Sequence, residues 1–126
     1  MKTLSILTFA AALLASGLAL AAEPASPAPM AKDGMFVTAK GMTLYTFDKD
    51  SAGKSACNGP CATNWPPALV ADDAKASGDL TIVSRDDGLK QWAYKGKPLY
   101  AFAKDAKAGD KTGDGFLNGA WHIAKP

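Results

Sequence analysis

The sequence contains a single histidine and only two cysteines in 126 residues, so it offers catalysis little to work with. No serine sits in a nucleophile-elbow context. No glycine-rich phosphate loop follows a strand, and no paired-histidine metal motif occurs. No sign of charge dominates either: 14 basic residues stand against 12 acidic ones. That balance excludes the basic stripe of a nucleic-acid binder and, equally, a polyanionic surface. Beyond Leu20 there is no long apolar run, and no segment keeps a helical period. Much of the apolar fraction is alanine, which leaves enough large side chains for one small core.

The one apolar run lies at the start. Lys2 precedes Leu4 to Leu20, interrupted only by small residues, and Ala19-Leu20-Ala21 has the small-x-small pattern that signal peptidase cuts. Residues 1–21 are therefore expected to be a signal peptide cleaved between Ala21 and Ala22, with a periplasmic product and no stable membrane span after cleavage. The run contains no cysteine, so lipoprotein-type acylation has no thiol there. Residues 22–32, with Pro24, Pro27 and Pro29 among alanines, read as an extended tether. The folded domain is expected over residues 33–126. A domain this small gains from a covalent staple, and an oxidising compartment permits one.

Within 33–126 the chain repeats itself. Asp33-Gly34 recurs as Asp87-Gly88, and Gly41-Met42-Thr43-Leu44-Tyr45-Thr46-Phe47 recurs as Gly96-Lys97-Pro98-Leu99-Tyr100-Ala101-Phe102. Asp50 recurs as Asp105, and Trp65 as Trp121, at offsets drifting only from 54 to 56 residues. Four matches in order indicate an internal duplication, with repeat one over about 33–86 and repeat two over about 87–126. Each half reads as a β-hairpin, turning at Lys40-Gly41 or Lys95-Gly96, followed by a long loop. Alternation places Thr43, Tyr45 and Phe47 on one face, and Tyr100 and Phe102 on its equivalent. A further strand is expected at Leu80–Ser84 and a closing one at Ala120–Ala124, with single helical turns near Ala62–Trp65 or Ala71–Ala76. The fold class is all-β: two pseudo-symmetric hairpin repeats forming one small sheet-based domain.

The pattern Tyr45-Thr46-Phe47-Asp48-Lys49-Asp50, matched by Tyr100-Ala101-Phe102-Ala103-Lys104-Asp105, resembles the tyrosine-x-aromatic-x-x-aspartate motif of a bacterial family of secreted repeats and predicted lipoproteins. Cys57 to Pro67 resembles the end of that family's first repeat, and Asp114 to His122 that of its second. The resemblance implies export and a duplicated β domain; it implies no activity.

Several chemistries compete for these residues. Tyr45, Phe47, Tyr100 and Phe102 form either a ligand-facing wall rimmed by Asp50 and Asp105, or a core shared by the hairpins. In the second case the aspartates would bond backbone N–H groups at the strand exits. Packing symmetry favours the core, because it demands the same residue in both halves. The loops at Asp48–Gly53 and Asp110–Gly115 begin like calcium loops, yet Gly59 and Trp121 stand where the closing glutamate is needed. Cys57 and Cys61, four apart, suit a structural disulfide; alternatively, with His122, they form a candidate soft-metal or redox set.

The function expected is that of a non-catalytic periplasmic binding or envelope-associated protein. Its partner would be an unidentified envelope component or small ligand, with no cofactor and no nucleic acid. The alternative is a thiol-redox or copper-handling protein using Cys57, Cys61 and His122.

Overall fold

A computed structural model describes residues 25–126; the expected signal peptide lies outside these residues. Seven short strands and two helical turns follow one another: β1 (Met30–Lys32), β2 (Met35–Val37), β3 (Tyr45–Phe47), α1 (Pro60–Asn64), β4 (Leu80–Ser84), β5 (Lys90–Tyr94), β6 (Lys97–Pro98), α2 (Phe116–Gly119) and β7 (Trp121–Ile123). All pairings between strands are antiparallel: β1 with β2, β3 with β7, and β4 with β5 with β6. The fold is thus mainly β, in three small sheets.

Turn chemistry sets the hairpins. Asp33-Gly34 and Lys95-Gly96 hold φ of 53° and 80°, and of 50° and 84°. Two successive positive φ values make a two-residue turn whose twist matches its strands. At Lys40-Gly41 the turn spans Thr38 to Met42, closed by Thr38 N–H to Met42 O at 2.9 Å and Gly41 N–H to Thr38 O at 2.8 Å. Residues 71–76, a candidate helical turn, form only a loop with a turn at Ala71–Ala74. Pairing also begins earlier than Asp33. Ser26 exchanges backbone bonds with Leu69 and Ala71, the Trp92 indole donates to Ser26 O at 3.1 Å, and Met30–Lys32 is β1. The prolines read as a tether space this segment along the domain, leaving the N–H groups of Ser26 and Met30–Lys32 free to pair. Likewise β4, assigned by sequence to the end of repeat one, pairs along its whole length with β5 of repeat two.

The halves are joined by exchange. In the first hairpin Leu44 N–H bonds Phe36 O, and Ala124, from the end of the chain, bonds both Phe36 and Leu44. In the second hairpin Leu99 N–H bonds Trp92 O, and Ala68, from the first half, bonds both Trp92 and Leu99. The closing segment of each half therefore completes the hairpin of the other. Tyr45 and Tyr100 sit between them, bonding each other's backbone at 2.7 and 2.9 Å, and so mark a pseudo-twofold axis.

Both faces of this junction are buried. Phe36, Leu44, Ala68, Trp92, Leu99 and Ala124 form one core cluster; Tyr45, Cys57, Trp65, Tyr100, Phe102 and Trp121 form the other. Alternation predicts one buried face, carrying Tyr45. The structure buries Leu44 and Leu99 as completely, because each strand lies between two layers of side chains.

Candidate functional site

The repeated aromatic and aspartate residues converge on the pseudo-twofold axis. Tyr45 Oη donates to Asp105 Oδ2 at 2.7 Å, and Tyr100 Oη donates to Asp50 Oδ2 at 2.7 Å. Each tyrosine thus bonds the aspartate of the other half. Each aspartate uses its second oxygen to accept a backbone N–H, from Ala56 for Asp50 and from Thr112 for Asp105. Each phenol oxygen takes a further partner, Gly113 N–H for Tyr45 and the Ser55 hydroxyl for Tyr100. Burial, reinforced by the neighbouring carboxylates, pushes both phenols well above their ordinary pKa. Burial also raises Asp50, outweighing the bonds from Ala56 and Tyr100 that favour its charged form.

The aromatic rings stack across the same axis. Trp65 and Trp121 lie parallel, centroids 3.8 Å apart. Phe102 stacks on the outer face of Trp65 at 4.0 Å and Phe47 on that of Trp121 at 4.2 Å. Tyr45 and Tyr100 meet Trp65 and Trp121 edge-on, at 5.5 and 5.1 Å. No space remains for a ligand against Trp65 and Phe102. A Cβ on Gly113 would come within 2.7 Å of the Trp65 ring. These rings are a core.

Cys57 and Cys61 form a disulfide that ties the loop before α1 to its first turn, with Cα atoms 5.2 Å apart. His122 lies elsewhere, an exposed side chain on β7, where its Nε2 meets Asp48 Oδ2 at 2.9 Å. Among the described residues no three histidine, cysteine or acidic side chains are placed to hold a metal ion. The sequence therefore proposes a trio that the fold does not bring together.

Sequence reasoning missed Arg85, the only arginine. It is buried, and all three of its nitrogens are engaged. Nε meets Asp87, one terminal nitrogen meets Ser55 and Gln91, and the other meets Cys57 O and Asn58. It ties the disulfide loop to the β4–β5 hairpin. Although burial opposes it, the Leu89 N–H and the Arg85 guanidinium hold the Asp87 carboxyl below its ordinary range. One arginine followed by two aspartates in sequence is a weak signal, since Arg85-Asp86-Asp87 reads equally as a solvated turn.

Surface hollows remain among the described residues, two of them above 400 Å³. One, of about 460 Å³, runs along Leu69–Ala74 and Leu89. The other, of about 440 Å³, lies between β3 and β7 on one side and the β5–β6 hairpin on the other. Thr46, Asp48 and His122 line one wall; Tyr94, Lys95 and Lys97 line the other, and Lys125 lies at the chain's end. It continues into a second hollow of about 220 Å³ that shares Thr46, Asp48, Lys95 and Lys97. This hollow gathers charged and hydrogen-bonding side chains of several elements.

Among the described residues, no helix is long and apolar enough to cross a membrane. In comparisons with known proteins, the family described as secreted repeats of unknown function matches residues 30–69 and again 81–125. No curated protein and no solved structure gives a significant match.

Proposed function

The chain belongs to the family of secreted repeats of unknown function, and on that premise we propose that it is exported to the periplasm, cleaved after Ala21, and acts there without catalysis as a binding protein. One observation carries this reading: the repeated tyrosines, aspartates and tryptophans bond and stack on one another across the axis. The motif is thereby absorbed into a rigid scaffold. A scaffold held this way presents its loops and clefts with little ordering cost on binding. The lysine-lined cleft is the surface that fits a small ligand, its volume falling in the range of ordinary small-molecule sites.

Native mass spectrometry of the protein isolated from the cell envelope tests the reading. The expected species begins at Ala22, carries the disulfide, and retains a small-molecule adduct. A reduced pair loaded with copper would overturn it in favour of metal handling by Cys57 and Cys61.

A further inference from the structure

The duplication supplies an internal control for the cleft. Where packing alone decides, the two halves agree: Leu44 with Leu99, Tyr45 with Tyr100, Trp65 with Trp121. The backbone at the cleft is duplicated too. Asp48 N–H bonds Ala120 O as Ala103 N–H bonds Asn64 O, and Gly53 N–H bonds Gly96 O as Gly109 N–H bonds Gly41 O. The side chains there are not, apart from Lys95, which corresponds to Lys40. Thr46 corresponds to Ala101, Asp48 to Ala103, Lys97 to Met42, His122 to Pro66 and Lys125 to Leu69. One half thus carries hydroxyl, imidazole and ammonium groups where the other carries alanine, methionine, proline and leucine. The Ser26 segment pairs along the apolar half at Leu69, whereas the polar side chains of the other half line an open cleft.

Charge points to the ligand's chemistry. Lys95, Lys97 and Lys125 form no ion pair among the described residues. Asp48, the one acidic side chain lining the cleft, is already held by His122. Lys95 takes φ of 50° in its turn, a left-handed conformation uncommon for a non-glycine residue. Its ammonium stands over the Tyr94 ring at 5.3 Å. The sole arginine is spent elsewhere, so the cleft has point charges and no planar fork. Ammonium groups bind phosphate oxygens as point charges, without needing the planar fork. Tyr94 and Ile123 add apolar wall for an attached carbon group.

Resting on the binding-protein reading, we propose that this cleft binds phosphate monoesters, whether free in solution or displayed as a lipid headgroup. The test is an NMR titration of the mature, oxidised protein with glycerol 2-phosphate, and in parallel with vesicles of phosphatidic acid in phosphatidylcholine. Amide shifts should concentrate at Thr46, Tyr94, Lys95 and His122, and spare Met42, Ala101 and Ala103. Lys97→Gln with Lys125→Gln, both on the surface, should weaken binding about tenfold or more, while Lys104→Gln leaves it unchanged. Asp48→Asn should tighten it. Binding of the soluble ester identifies a free ligand; binding of vesicles alone identifies a headgroup. Shifts spread over all surface lysines, or none by about 10 mM ester and none with vesicles, overturn the proposal. If native mass spectrometry still finds a different adduct, the anion assignment fails and the binding reading stands.

Discussion

Tyr45 and Tyr100 each place one hydroxyl between a carboxylate of the opposite half and a second polar partner. Tyr45→Phe leaves a buried oxygen of Asp105 and the Gly113 N–H unpaired. An unsatisfied buried group costs about 1–3 kcal/mol, so urea unfolding should show a loss of that order with the stack intact. Gly113→Ala should cost about 1–3 kcal/mol for a different reason, overpacking, since its new methyl would meet the Trp65 ring. Two aspartates act in opposite senses on pH. Asp87 lies below its ordinary value of 3.8, so its contribution is present above that value and lost as pH falls through the folded one. Asp50 lies above 3.8, so it opposes folding at neutral pH, and that penalty fades as pH falls through its folded value. Asp87→Asn should therefore lower Tm at neutral pH, and the difference from wild type should shrink as pH falls through the lowered folded-state pKa of Asp87.

Among the elements, α1 and its disulfide are the simplest to test. Replacing both Cys57 and Cys61 by serine reopens a short loop, a loss of about 2 kcal/mol on loop-entropy grounds, visible as a lower Tm. Arg85 should then matter more, as the remaining tie between that loop and the β4–β5 hairpin. The strands at Leu80–Ser84 and Trp121–Ile123 and the turn at Lys95-Gly96 are legible in the sequence, because β-branched runs and Lys-Gly pairs are local signals. The burial of Leu44 and Leu99 is not, since alternation assigns one face to the core and cannot see a second layer. The pairing of Ser26 with Leu69 and Ala71 is masked by proline composition. The cleft is invisible for another reason: Lys95, Lys97 and Lys125 lie on separate segments, and a lysine in a cleft reads like a solvated one.

For the whole molecule, duplication announces symmetry without saying how the halves join. Repeats that close on themselves and repeats that exchange closing segments share one sequence pattern. The structure shows exchange: Ala124 completes the first hairpin and Ala68 the second. Neither half has its closing strand without the other, so the domain should unfold as a single cooperative unit. The aromatic stack reinforces this, because each tryptophan of the central pair comes from a different half. Native-state hydrogen exchange on the full chain tests this most directly. The amides of Phe36, Leu44, Tyr45 and Ala68 should exchange with the same opening free energy as those of Trp92, Leu99, Tyr100 and Ala124. Ile123→Ala, a change in the second half alone, should lower all eight equally. Two distinct opening energies, with the first-half hairpin keeping its protection in that variant, would contradict the exchanged architecture.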